Sequence, residues 1–96
     1  MTIKDLIDIS HNNAREKGFW DKERNVGEMI ALCHSELSEA LEGHRHGDEK
    51  NFAEELADTV IRIGDLCGGL RIDLEEAIRK KFEINAKRAY LHGKSY

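Results

Sequence analysis

Two pairs of carboxylates, Glu36 with Glu39 and Glu55 with Asp58, are the residues of this chain best placed to do chemistry. Members of each pair are three residues apart, so on an α-helix both project from one side about a turn from each other. Winding Val26 to His44 as a helix at about 100° per residue puts Met29, Leu32, Cys33, Leu37, Ala40 and Leu41 on one arc, and Glu36 falls inside it. An unpaired carboxylate among apolar side chains costs several kcal/mol or more, so Glu36 requires a cation, a hydrogen-bond network or a raised pKa. Glu39 borders the same arc. If the next helix packs antiparallel, Glu55 and Asp58 face the first pair across one groove. Like charges some 4 Å apart repel by about 1 kcal/mol per pair even in water, and such a cluster calls for a compensating cation. Oxygen-only ligands favour Mg²⁺ or Mn²⁺ over zinc.

Spacing by itself does not establish the site. Nineteen acids in 96 positions give five pairs separated by three residues, where random placement gives about three or four. Orientation is the discriminating feature: Glu28 and Glu42 point away from the apolar arc, whereas Glu36 points into it. The signal on the third helix is weaker, because Glu55 lies between Leu66 and Arg62 on the wheel and Asp58 joins Asp65 and Glu54 on a narrow polar strip. A solvated or salt-bridged face is the alternative. Further along, Lys81, Asn85 and Arg88 share a sector with Leu74, Ala77 and Ile78, which places two cations and an amide toward the interior. They either pair with the carboxylates or bind phosphate oxygens beside a metal ion.

The elements that must position these residues are helices. The chain has no proline, no repeat and no run alternating like a strand. Thr2 caps a first helix reaching about Lys17, with Gly18 as its stop, and Phe19 to Arg24 form a linker. Asn25 with Glu28 opens a second helix running to about Arg45 before His46, Gly47 and Asp48 turn the chain. A third spans about Asn51 to Cys67, ending at Gly68 and Gly69. Asp73 with Glu76 opens a fourth that runs to about Leu91, with Gly93 beyond it. Short connections make neighbours antiparallel, and the expected fold is all-α, a small four-helix bundle in one domain.

Composition narrows the function. A net charge of −4 from 19 acids and 15 bases argues against a nucleic-acid polymer as partner, while free nucleotides remain possible because metal ions can carry their phosphates. No apolar run approaches the roughly 20 residues of a membrane span, and Met1 to Leu6 lack a signal pattern, so a cytoplasmic protein is expected. Cys33 and Cys67 match no zinc spacing and read as reduced core thiols. So short a chain with wide apolar arcs is expected to self-associate.

Taken together, Glu36-Leu-Ser-Glu39-Ala-Leu-Glu, then Glu54-Glu55-Leu-Ala-Asp58, then Lys81 with Asn85 and Arg88, resemble the MazG-like all-α nucleoside triphosphate pyrophosphohydrolases over about Arg24 to Tyr90. The resemblance implies a helical bundle assembled as a homodimer or homotetramer, with Mg²⁺ held by Glu36, Glu39, Glu55 and Asp58. It implies cleavage of a nucleoside triphosphate to the monophosphate and pyrophosphate. Glu39 would orient or deprotonate the attacking water, and Lys81, Asn85 and Arg88 would hold phosphate. Two positions depart from the pattern: Ser35 stands where many relatives have a further Glu, and Arg62 stands where some dCTP-directed relatives carry an aromatic ring.

Metal-assisted phosphoryl transfer needs no nucleophilic side chain, so no covalent intermediate is expected. Base recognition would fall to Trp20, His34, Asn12, Asn13 or Arg15, although a tryptophan in a short linker more often pins that linker to the core. Two rivals stand beside this reading. A diiron bundle would want Glu-x-x-His motifs, which neither acidic pair provides. A non-catalytic helical regulatory or assembly module would leave the carboxylates as a solvated surface.

Overall fold

The computed structural model describes residues 1–88. Among them are four α-helices and no strand: α1 (Ile3–Glu16), α2 (Val26–Arg45), α3 (Glu49–Leu70) and α4 (Leu74–Ala86). Side-chain oxygens set where each begins by accepting backbone N–H groups that have no partner within the helix. Thr2 Oγ1 accepts from Asp5 N at 3.0 Å while Asp5 Oδ2 accepts from Thr2 N at 3.1 Å, a reciprocal capping box. Asn25 caps α2 through Glu28 N at 2.9 Å, and Asp73 caps α4 through Glu76 N at 3.0 Å, both as expected.

Asp48 is a cap that the sequence reading passes over. Its Oδ1 accepts from Asn51 N at 3.0 Å, so α3 starts at Glu49 rather than Asn51. The other end of α3 also differs from expectation. Gly68 and Gly69 do not stop the helix, which continues to Leu70 and closes on Arg71 in the left-handed region at φ 57°. Their smallness serves packing. A Cβ on Gly68 would collide with the His11 side chain, and one on Gly69 would overlap the Trp20 ring. Gly64 similarly lets Ser10 and the Leu6 carbonyl approach. Helix α4 is shorter than expected, because the N–H groups of Lys87 and Arg88 turn back to Ile84 and Asn85 at 3.2 Å in three-residue closures. The remainder of the expected helix, to Leu91 and Gly93, lies outside the described residues.

Helix α3 is the axis of the fold. Helix α2 packs along it antiparallel, with Gly43 against Asn51 and Phe52 near one end and Glu36 against Arg62 further along. Helix α1 runs parallel to α3 on another side, where Ser10 meets Gly64 and His11 meets Gly68. Both pack on α3 rather than extensively on each other, leaving a groove between them. Helix α4 rests weakly on α1 and buries none of its residues. Four helices are present, but within one chain they do not close around a common core.

Burial follows that arrangement. Met29, Ala40 and Cys67 are the buried hydrophobic residues among those described, and no large side chain is fully enclosed. Leu37 and Leu41, expected to face inward, are exposed, because the inward arc of α2 centres on Met29, Glu36, Ala40 and Gly43. Together with Ile30, and with Leu56, Val60, Ile63 and Leu70 on α3, they remain 37–47% exposed. Such an apolar face is large for a protomer standing alone. Both cysteines are free, Cys67 buried and Cys33 half-buried, and burial pushes the Cys67 thiol pKa up. No helix among the described residues is long and apolar enough to cross a membrane.

Candidate metal centre and adjoining groove

The inward arc of α2 carries Glu36 straight onto α3, where its side chain is only 13% exposed. Antiparallel packing then brings Glu55 up from α3, and Glu39 comes round from the next turn of α2. Each of Glu36, Glu39 and Glu55 offers a carboxylate oxygen within 4.8 Å of the others. Glu39 is the exposed member; Glu36 and Glu55 are half-buried. Asp58 does not join them. It lies exposed on α3, lining the groove that Glu36 also borders. The physical reason is where the two helices meet: α2 lies over the Glu55 and Arg62 side of α3, and the three-residue offset that keeps Glu39 beside Glu36 turns Asp58 toward the groove instead.

Among the described residues, one guanidinium pairs with a member of this cluster, Glu36. Arg62 Nε and Nη2 each lie 3.1 Å from Glu36 Oε1. The salt-bridged alternative is therefore realised in part, at Glu36. Glu55 is left differently. Its Oε2 is buried and has no hydrogen-bond partner. Hydrogen bonding to Glu36, then to Glu39, with burial and the two negative charges adding to it, raises the Glu55 pKa from 4.5 to about 7. A buried oxygen without a partner, inside a triad of carboxylates whose closeness raises the pKa of one of them, is what a hard cation would satisfy. The donor set fits Mg²⁺ or Mn²⁺.

A pH dependence follows from Glu55. Between about pH 4.5 and about pH 7 the unfolded chain has already lost the Glu55 proton that the folded chain retains. The folded state binds more protons in that window, so stability of the metal-free protein should fall as pH rises through it and level off above. Thermal unfolding of Glu55→Gln beside the wild type checks this. The variant should gain on the wild type steadily from pH 4.5 to 7, whereas melting curves that shift in parallel would show that Glu55 titrates normally.

A groove of about 580 Å³ runs from this cluster between α1 and α2. Its floor is α3, with Asp58, Ile61, Arg62 and Asp65, and Asn13, Lys17 and Phe19 edge it from the α1 side. At its far end Asp65 is buried and fully engaged. Oδ1 accepts from Trp20 Nε1 at 2.8 Å and lies 3.0 Å from His11 Nδ1, and Oδ2 accepts from Arg24 Nη1 at 3.0 Å. The Trp20 and His11 rings meet edge to face at 5.1 Å, and the Arg24 guanidinium lies over the Trp20 ring at 5.3 Å. This hub ties residues 17–25 across α3. Trp20 accordingly pins the linker, the more common role for such a residue, and its ring is spent on Gly69, His11 and Arg24.

The remaining expected site residues lie elsewhere. Lys81, Asn85 and Arg88 do not reach the carboxylates within the chain; all three are exposed on or just beyond α4, while Leu74 and Ile78 of the same helix are half-buried against the body. Ala77, of the same sector, is exposed because α4 touches only the rim of the fold. His34 is exposed, and Asn12 and Arg15 line a separate surface depression beside Trp20. Asn13 alone of the base-recognition candidates borders the groove next to Glu36.

Nothing in the spacing of His11, Arg24 and Asp65 marks them as a group in the sequence. Asp65 sits on the polar strip of the α3 wheel, and only the glycines at positions 64, 68 and 69 hint that something approaches closely beside it. Comparison with protein-family models, with curated proteins and with solved structures gives no match to this chain.

Proposed function

We propose that the chain is a Mg²⁺-dependent nucleoside triphosphate pyrophosphohydrolase, cleaving an NTP or dNTP to the monophosphate and pyrophosphate. The observation that carries this reading is the Glu36, Glu39 and Glu55 triad with its buried, unpartnered Glu55 oxygen. The order of the acidic motifs and the resemblance they create support it. So does a groove beside the triad with room for a nucleoside.

Glu36, Glu39 and Glu55 would hold the metal; Asp58, on the groove wall, lies outside the triad and would have to reach the ion from there. Bound Mg²⁺ supplies charge neutralisation at the phosphates and lowers the pKa of water. Glu39, the exposed carboxylate of the triad, orients the attacking water and takes its proton as the new P–O bond forms and the bond to the pyrophosphate oxygen breaks. Glu36 and Glu55, packed between α2 and α3, are held in place and serve as ligands only. Lys81, Asn85 and Arg88 can bind phosphate in this scheme only from a second copy, since α4 does not approach the triad of its own chain. The exposed apolar side chains of α2 and α3 supply a surface on which a homodimer, or a dimer of dimers, would form.

The test is a panel of ribo- and deoxynucleoside triphosphates assayed for pyrophosphate. Release from at least one of them with Mg²⁺, abolished by chelation, is the expected result. The same unpartnered apolar face also suits a non-catalytic assembly module. No release from any nucleotide, with a melting temperature indifferent to Mg²⁺, would decide for that module.

A further inference from the structure

Building on the metal reading above, we propose that Arg62 is a stand-in cation: it occupies Glu36 until a divalent ion arrives with a triphosphate, then transfers to the phosphate oxygens in the groove. Three carboxylates meet at this point, and among the described residues a single guanidinium pairs with one of them, Glu36. The contact is an uneven one. A guanidinium forms its strongest pair by placing two nitrogens on two carboxylate oxygens, whereas Arg62 Nε and Nη2 converge on Glu36 Oε1 alone.

The two partners are also unequally committed. Glu36 is 13% exposed and fixed between helices, while the Arg62 side chain is 39% exposed and opens on the groove beside Asp58. Arg62 can therefore swing into the groove without unpacking the core, and Glu36 cannot follow. A divalent ion bound to Glu36 would repel the guanidinium at a few ångströms' distance. A polyanion in the groove would attract it.

Arg62 thus links the two ligands. It competes with the metal for a carboxylate oxygen, so the metal alone binds less tightly than the triad permits. A triphosphate that draws Arg62 away removes the competition, and by linkage the metal strengthens triphosphate binding to the same extent. The effect is a centre that fills when ion and substrate arrive together.

Calorimetric titration of Arg62→Met and Arg62→Lys beside the wild type tests this with two probes, Mg²⁺ alone and a nucleoside triphosphate bearing a methylene bridge between the α and β phosphorus atoms in saturating Mg²⁺. Arg62→Met should bind Mg²⁺ alone roughly tenfold more tightly and the bridged nucleotide roughly tenfold more weakly. Arg62→Lys, which keeps the charge, should lie between on both. Loss of a merely structural contact would weaken both ligands together, and that result, or unchanged Mg²⁺ affinity in Arg62→Met, overturns the proposal. Should the wild type bind the nucleotide but Arg62→Met bind both probes as the wild type does, only the role of Arg62 fails. A wild type that binds no Mg²⁺ removes the metal centre and this role with it.

Discussion

Glu39→Gln is expected to lower turnover by about 100-fold or more while changing nucleotide affinity far less. General-base catalysis contributes on the order of 10² to 10⁴ in rate, and the amide keeps the size of the side chain but cannot take the proton of the attacking water. In the proposed centre Glu36 and Glu55 would remain to hold the metal, which is why binding should survive. Glu42→Gln is the control. Glu42 is exposed one turn further along α2 and pairs with Arg45 at 3.6 Å, outside the triad. Its turnover should stay within about threefold of the wild type, since exposed pairs of this kind contribute little. Steady-state kinetics at saturating Mg²⁺ distinguish the two substitutions; equal damage from both would mean the wrong face of α2 has been assigned.

If the apolar face of α2 and α3 forms the proposed homodimer, Ile63→Glu should convert it into a monomer. Ile63 is 37% exposed on α3, within the face that also carries Leu56 and Val60, and it is a member of neither the triad nor the Asp65 hub. In a two-fold interface each substitution counts twice, and burying an uncompensated carboxylate costs several kcal/mol, so the dissociation constant should rise at least about 100-fold. Sedimentation at micromolar concentration provides the measurement. A wild type that already sediments as a monomer would refute the assembly, and with it any role for Lys81, Asn85 and Arg88 at the triad.

Helix positions were legible in the sequence because capping is local: Thr2, Asn25 and Asp73 each act on a backbone group three residues away. Glu36 was legible for a similar reason, since its inward placement depends only on the period of α2. What the period could not convey was how helices meet. Asp58 and Glu55 share a motif, yet the line of contact with α2 runs through Glu55 and Arg62 and leaves Asp58 on the groove wall. Leu37 and Leu41 are apolar and lie near the arc of Glu36, but α3 covers only the other part of that arc. Gly68 and Gly69 read as a helix stop when their neighbours in sequence are considered and as packing positions once His11 and Trp20 are beside them. The inward sector of α4 has meaning only against a surface, and its own chain provides little of one.

Binding of Mn²⁺ followed by electron paramagnetic resonance tests the central claim most directly, because it counts ions at the carboxylates without requiring the right nucleotide. The wild type should remove free Mn²⁺ from solution saturably, at about one ion or more per chain, and Mg²⁺ should displace it. The variant combining Glu36→Gln, Glu39→Gln and Glu55→Gln should leave the free Mn²⁺ signal undiminished. Equal uptake by the wild type and that variant, or none by either, would contradict a metal centre between α2 and α3.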